Sequence, residues 1–387
     1  MTVLDQAREL QRDIVELRRY FHMHPELSFE EHKTAALAAE KLKEMGYKVK
    51  TGVGKTGVVG DLGSGGKLVA IRADMDGLPV IETNKVEYKS KNEGVMHACG
   101  HDAHVSCALH AAKILTRGEL PGRIRMIMQP AEEMPDEEEK SGARRMIEEG
   151  AMEGVSAVIG LHMDASIPAG KVCVQPGPVM AAQDSFVISI TGKGGHGAYP
   201  EASVDPIVLA SFAIQAVQQI VSRRIAAVDP AVCTIGAIQS ESKRGNVIGN
   251  TVRMEGTIRS FRPDVRQKLI DELERACGVV CALGGEFKIE WEEGYPATVN
   301  DVDVAAVMRE VAVELIGEEN VITIPPKTWA EDFSMLAQAA PGAFMFVGGE
   351  IAGDRRAHHS PTFDLDESGL YIGTAVLAET AKRLLAR

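Results

Sequence analysis

The sequence predicts an α/β protein carrying a small inserted ferredoxin-like sandwich. Three observations carry that expectation. Helical and strand periodicities alternate up to about residue 182 and resume from about residue 293. Between them the order becomes strand–helix–strand–strand–helix–strand, the pattern of a small split β-α-β sandwich. Three strands of the outer part run into Asp74, into Glu132-Glu133 and into His162. The carboxyl ends of parallel strands converge, so these groups are expected to meet. The outer domain is therefore placed at residues 1–182 and 293–387, and the insertion at 183–292.

The elements follow in order. Residues 4–20 carry Leu4, Ala7, Leu10, Ile14 and Leu17 on one helical stripe, which His22, His24 and Pro25 are expected to end. A second helix over about 29–46 stops at Gly46. Short strands near 58–62 and 67–72 lead into Arg72-Ala-Asp-Met-Asp-Gly-Leu-Pro79. Taken alone, Asp74 reads better as a polar turn capping its own backbone.

Residues 97–110 follow, reading His-Ala-Cys-Gly-His-Asp-Ala-His-Val-Ser-Cys-Ala-Leu-His. Four of the chain's 11 His and two of its six Cys lie here. Thiolate and imidazole are the usual donors to zinc and its neighbours. His97, Cys99 and His101 are two apart, so an extended chain would point them the same way. Apolar spacing from Ala103 to Leu115 predicts a helix, with Asp102 at its N-cap. The bland alternative is a buried helix with satisfied histidines. Cys-Gly-His-Asp flanked by further His favours metal binding or catalysis over it.

A strand over 123–129 ends at Pro130-Ala-Glu-Glu133, and one over 156–161 ends at Leu161-His162-Met-Asp164. In the insertion, Phe186, Ile188 and Ile190 alternate as in a strand with one buried face. A Gly-rich turn holding His196 follows. Then come a helix (about 204–222), strands (231–239 and 250–260), a helix (263–282) and a strand (286–291). The outer pattern then resumes with Trp329-Ala-Glu-Asp-Phe-Ser334, a strand over 343–348, His358-His-Ser-Pro and a closing helix.

Bulk properties narrow the function. At 387 residues, two domains are the prior. The net charge of −13, from 42 basic and 55 acidic residues, argues against nucleic acid as a partner. No apolar run approaches the length of a membrane span. The first residues, Met-Thr-Val-Leu-Asp-Gln-Ala-Arg, lack the basic and apolar regions of a signal peptide. The scattered Cys read as reduced thiols, so a cytoplasmic location is expected. Cys99 and Cys107 are not spaced as a redox Cys-x-x-Cys pair.

With these motifs in place, the chain resembles the di-metal amidohydrolases of the aminoacylase/carboxypeptidase-G superfamily. Within them it is similar to the branch of hippurate hydrolase, indole-acetyl-amino-acid hydrolase and N-acetyl-diaminopimelate deacetylase. The resemblance rests on Arg72-Ala-Asp-Met-Asp-Gly-Leu-Pro, His97-Ala-Cys-Gly-His-Asp, Gln129-Pro-Ala-Glu-Glu, Gly160-Leu-His-Met, Gly194-Gly-His-Gly-Ala-Tyr-Pro, Ala330-Glu-Asp-Phe-Ser and His359-Ser-Pro. Seven motifs in the family's order, over nearly the whole chain, are specific.

The resemblance implies a zinc-peptidase-like catalytic domain with a ferredoxin-like lid, through which subunits form a homodimer or higher homo-oligomer. It makes Cys99, His101, Glu133, His162 and His359 ligands to two divalent ions, with Cys99 as the bridge. It makes Glu132 the general base and has Asp74 orient a ligand. It places His196, Asn246 and Arg259 against the substrate. Glu201 stands where the family often has His, and Asp164 replaces part of a Trp-Pro pair; both bear on the substrate pocket.

The implied reaction is hydrolysis of the amide bond of an N-acyl amino acid. Two ions about 3.5–4 Å apart can share a hydroxide and polarise an amide carbonyl. Glu132, next in sequence to a ligand, can take the water's proton and pass it to the leaving amine. A mixed sulfur, nitrogen and oxygen shell would tolerate zinc, manganese, nickel or cobalt. Two rivals remain: a dipeptidase or carboxypeptidase on the same machinery, and a metal-free binding relative. The second would show missing ligands, and none is missing.

Overall fold

The computed structural model describes all 387 residues. They form two compact units. The first comprises Met1–Val179, Val299–Pro325 and Asp332–Arg387; the second comprises Met180–Thr298 and Pro326–Glu331.

The first unit is built on one mixed eight-stranded sheet. Its spatial order is Lys48–Val53, Gly57–Gly63, Arg123–Gln129, Leu68–Asp74, Ala157–Pro168, Gly342–Glu350, Val172–Cys173 and Val321–Ile322. The four strands from Arg123–Gln129 to Gly342–Glu350 are mutually parallel. Their register is what gathers the site. Asp74 pairs with Gln129, Arg72 pairs with Gly160, and Phe346 pairs with His162. Asp74, His162 and the loop after Gln129 therefore lie at one level of the sheet, although the strand through His162 does not end there as expected but runs on to Pro168, paired with Gly342–Glu350. Residues of Leu68–Asp74 are buried throughout. A strand covered on both faces is apolar without alternation, and Leu-Val-Ala-Ile reads that way.

Several elements differ from expectation. The first helical stripe forms two helices, Val3–Glu9 and Gln11–Met23, the first closed by a Thr2/Asp5 capping box. His22 does not end the second helix but lies buried in its last turn. Its Nδ1 meets Asp102 at 2.7 Å and its Nε2 meets Glu82 at 3.3 Å. The strand Lys48–Val53 was not anticipated. It is an exposed edge strand, without an apolar face to announce it.

The helix after Cys99 runs from His101 to Leu115 and is capped by Gly100, not by Asp102. Gly100 has φ +99°, a conformation open to glycine, so the chain turns there instead of continuing extended. Asp102 lies one residue into the helix, its carboxylate 2.8 Å from the Arg18 guanidinium.

The second unit is an antiparallel sheet in the order Ala231–Ser240, Thr251–Ser260, Ala182–Thr191, Glu286–Glu293. Phe186, Ile188 and Ile190 face inward, with Val252, Met254 and Ile258 beside them. Leu209 and Ala213 of the helix Pro206–Gln219, and Leu269 and Leu273 of Pro263–Cys277, complete this core. The strand order, 2-3-1-4 in chain terms, is that of a ferredoxin-like sandwich. The helix expected over 263–282 is interrupted at Gly278, and a short turn Val279–Ala282 follows. No helix of the protein is long and apolar enough to cross a membrane.

Candidate metal centre

The strand ends of the first unit bring together sulfur, imidazole and carboxylate donors. Three overlapping groups have donor atoms within 4.8 Å of one another: Cys99 with Glu133 and His359, His101 with Glu132 and Glu133, and Cys99 with His162 and His358. Cys99 and Glu133 each belong to two of them. Cys99 Sγ lies 3.4 Å from His162 Nε2, and His359 Nε2 lies 3.3 Å from Glu133 Oε1.

Local backbone geometry sets these positions. Ala131, just before Glu132, has φ +47°, and His359 has φ +59°. Side chains with a Cβ rarely adopt such angles unless the surroundings impose them. The Ala131 N–H donates to the buried Glu31 carboxylate at 2.8 Å. Gly142 packs so tightly beneath this loop that a Cβ would meet the Pro130 carbonyl oxygen at 1.6 Å. The His359 N–H donates to the Ala98 carbonyl at 2.8 Å, tying its loop to that of Cys99.

Hydrogen bonds sort the histidines. His101 Nδ1 donates to the Asp76 carbonyl at 2.9 Å, and His162 Nδ1 donates to the Met163 carbonyl at 2.9 Å. Carbonyl oxygens only accept, so each neutral ring keeps an Nε2 lone pair. His104 and His358 are arranged the other way. Nε2 of His104 accepts the Met163 N–H at 2.8 Å, and Nε2 of His358 accepts the Ala165 N–H at 3.2 Å. Those two rings therefore support the site better than they ligate. His104 Nδ1 passes its hydrogen to Asp74 Oδ1 at 2.6 Å.

Carboxylates frame the cluster. Asp74 accepts from Arg72 at 2.6 Å and lies 3.7 Å from His101 Nε2. Arg72 also donates to Gln129 and to Asp332, both at 2.8 Å. Burial opposes the charge of Asp74, but Arg72, His101 and His104 outweigh it and hold its pKa well below the usual range. His162 is depressed by burial and by neighbouring His104 and His358, which leaves it neutral. Burial would also depress His101, but the Asp74, Asp76 and Glu133 carboxylates push it up to about 10, so a cation bound at Nε2 would displace a proton from that ring.

The residue that orients His101 is Asp76, one carboxylate beyond the Asp74 singled out in sequence. Besides its carbonyl, its Oδ1 lies 3.2 Å from His101 Nδ1. Its Oδ2 accepts the Glu133 N–H at 3.0 Å and the Ser28 hydroxyl at 2.7 Å. The second acid of Arg-Ala-Asp-Met-Asp was the available signal. Glu31 carried none, because it reads as an ordinary helix-start acid. His97, grouped with Cys99 and His101 by spacing, belongs to no donor group; its ring lies 6.5 Å from that of His22.

A metal fits the residues present. Two atoms at the centre of the cluster, His101 Nε2 and Glu133 Oε1, are buried without a well-formed hydrogen bond, the second meeting only the ring of His359 at 3.3 Å. Buried polar atoms are normally satisfied, and a cation would satisfy both.

The remaining expected residues lie in the second unit. His196 pairs with Val247 in a short two-stranded ribbon, and the Gly197 N–H donates to the Asn246 carbonyl at 3.0 Å, so His196 and Asn246 are neighbours. His196 Nδ1 accepts the Ala198 N–H at 3.0 Å. Arg259 is half-buried on Thr251–Ser260 and donates to the Ile258 carbonyl at 2.9 Å and to Thr257. No hydrogen bond joins it to either of the other two.

A run of parallel strands that gathers thiol, imidazole and paired carboxylates at one level of the sheet defines a metal-dependent hydrolase. The chain belongs to peptidase family M20/M25/M40, whose profile matches residues 70–383. It is 42% identical over 376 residues to thermostable carboxypeptidase 2 of Saccharolobus solfataricus, covering 95% of this chain and 94% of that one. It is 39% identical over 384 residues to the N-acetyl-L-cysteine deacetylase of Bacillus subtilis, covering 97% and 89%. Among solved structures it is similar to a Bacillus subtilis peptidase of family M20 described as dinuclear and metal-binding. That match has a TM-score of 0.85 and 32% identity, and covers 98% of this chain and 99% of that one.

Proposed function

We propose that the protein hydrolyses the amide bond of small N-acyl amino acids, acetyl or benzoyl among them. Two divalent ions would be held by Cys99, His101, Glu133, His162 and His359, whose donor atoms cluster in overlapping groups. The observation that carries this reading is the sorting of the rings. His101 and His162 alone of the buried cluster present an Nε2 lone pair toward Cys99 or the paired glutamates. When bound, the ions supply an acidified water and polarise the amide carbonyl. Zinc, manganese, nickel and cobalt all suit the mixed shell.

The chain's own groups do the rest. Glu132 is buried, with Oε2 3.9 Å from His101 Nε2, and adjoins Glu133 in sequence. It takes the water's proton and returns it to the leaving nitrogen. Asp74 and Asp76 keep His101 and the Glu133 backbone in place. Arg259 grips the α-carboxylate, for which a planar guanidinium is suited. His196 and Asn246 contact the substrate's amide oxygen. A carboxypeptidase or dipeptidase reading on the same site draws support from the names of two thermostable relatives at 42% and 41% identity. The domain built from Met180–Thr298 is proposed as a lid and as the surface joining subunits.

One experiment tests ligands and substrate together. Metal per subunit should fall in Cys99→Ser and remain at the wild-type level in Cys107→Ser. Cys107 sits buried with its thiol pushed up to about 12 by burial, donating to the Leu370 carbonyl. A panel of N-acetyl and N-benzoyl amino acids, their carboxamides and the matching dipeptides is then assayed. Acyl amino acids should be turned over fastest, and the carboxamides should fall furthest behind. Equal metal in the three proteins removes the ligand set. Faster dipeptide turnover favours the peptidase reading.

A further inference from the structure

A cavity lies in the first unit, apart from the donor cluster. It has a volume of about 540 Å³ and is lined from the helices Gln11–Met23, His32–Glu44 and His101–Leu115. Leu17, Leu37 and Leu109 give it an apolar wall. Lys41 and Lys113 reach it as cations, and Asp13 with two glutamates as carboxylates. This is the size of a small-molecule site, with an apolar wall on one side and charged groups of both signs around it.

His110 is the unusual group in its lining. It is 7% exposed, on a helix whose other buried positions near it are mostly apolar. Its Nδ1 donates to the Ser106 carbonyl at 2.8 Å, so the neutral ring presents Nε2 as an acceptor. No protein group donates to that atom. Burial holds the ring below its ordinary pKa, with Lys113 and Lys41 acting in the same direction against Asp13 and the Ser106 bond. The Nε2 atom is open to the cavity rather than sealed in the core, and an acceptor bordering a cavity without a protein donor is a ready contact for a ligand N–H.

We propose that this cavity binds a free apolar α-amino acid. The inference rests on the proposed reaction for the ligand's source, since that reaction releases such a product. Its chemistry comes from the cavity. The ligand's α-ammonium donates to His110 Nε2. Its carboxylate meets Lys113, three residues along the same helix face, together with Lys41. Its side chain lies on Leu17, Leu37 and Leu109. Lys113 now faces Asp13 at 3.5 Å, and both side chains are about half exposed. Such a pair contributes little and exchanges readily for a ligand carboxylate.

An N-acyl amino acid has no ammonium, so the cavity separates product from substrate. The helix that forms its floor begins at His101, roughly 14 Å away at 1.5 Å per residue. Product bound there bears on the element that carries a proposed metal ligand, a route for feedback from amino acid to catalysis.

The test is calorimetric titration of the full-length, metal-loaded protein with L-leucine, N-acetyl-L-leucine and L-leucinamide, repeated after chelation. L-Leucine should occupy a site that persists after chelation. The two analogues should bind there at least roughly tenfold more weakly, each having lost one charged contact. Lys41→Glu reverses a partly exposed charge and Leu37→Trp fills a half-buried wall, so circular dichroism should stay unchanged in both. Each should weaken the leucine site by a similar factor. In steady-state assays of the wild type, leucine should lower kcat as well as raise KM. In Lys41→Glu only the KM effect should remain. Absence of a chelation-resistant site, equal affinity for N-acetyl-L-leucine, or no change in either variant would overturn the proposal. Absence of amide hydrolysis would instead overturn the proposed reaction and leave the titration intact.

Discussion

At the scale of single residues, the candidate site separates groups that touch a reacting atom from groups that hold them. Glu132 belongs to the first kind. Glu132→Gln keeps the side chain's shape but cannot take a proton. Metal content and thermal midpoint should match wild type, while kcat falls roughly 10²–10⁴-fold. Turnover within tenfold of wild type in a fully metallated variant would assign the base elsewhere. Asp76 belongs to the second kind, because it grips both His101 and the Glu133 backbone. Outer hydrogen-bond partners of metal ligands typically matter 10–100-fold in affinity. Asp76→Asn should weaken metal binding by about that factor in competition with a chelator, with turnover at saturating metal much less affected. Unchanged affinity would mean that the Asp76 carbonyl alone orients His101.

At the scale of elements, a buried ionic network joins pieces far apart in sequence. Arg18, in the helix Gln11–Met23, lies 2.8 Å from Asp102, 3.1 Å from Asp364 and 3.1 Å from Glu367. It thereby fastens the start of the helix bearing His101 to the segment following His359. His22 joins the same network one turn later, between Asp102 and Glu82. Burial and the Arg18 charge oppose protonation of His22, but the two carboxylate hydrogen bonds outweigh them and leave its pKa raised. A raised folded-state pKa means that the folded protein holds the proton more tightly. The resulting stability is complete below the ordinary histidine value of about 6.5 and is lost as pH climbs through the folded value. Urea midpoints of wild type and His22→Gln, followed from about pH 6 to 9, should therefore converge as pH rises. A gap that is constant or widens with pH would show that the ring is neutral in the folded protein.

At the scale of the whole molecule, each unit has a core of its own. That of the first includes Ile71, Leu109 and Phe363, and that of the second includes Phe186, Leu269 and Leu273. Separate cores allow separate cooperative unfolding. Leu269 is fully buried, so Leu269→Ala should destabilise its unit by roughly 2–5 kcal/mol. Metal content at moderate temperature should stay at the wild-type level, because the proposed ligands lie in the other unit. Loss of metal in step with the unfolding of the second unit would show instead that the two fold as one.

The sequence determined the parts whose signal is local. Period-2 and period-3.6 patterns located most strands and helices of both units, because most elements bury one face or stripe; the exposed edge strand Lys48–Val53 has no such face and was missed. The strand ends at Asp74 and just before Glu132-Glu133 were legible for the same reason, but the strand through His162 runs six residues further, to Pro168, held by its neighbour Gly342–Glu350. Seven motifs in order carried the family. The tertiary structure decided what depends on neighbours distant in the chain. Gly100 displaced Asp102 as the helix cap because Asp102 is drawn to Arg18, 84 positions away. Asp76, not Asp74, took the His101 Nδ1–H because the chain turns after Asp74. Five histidines near the cluster look alike in sequence. Which nitrogen each ring keeps for a ligand depends on the backbone group that fills the other, and only the folded chain places those groups.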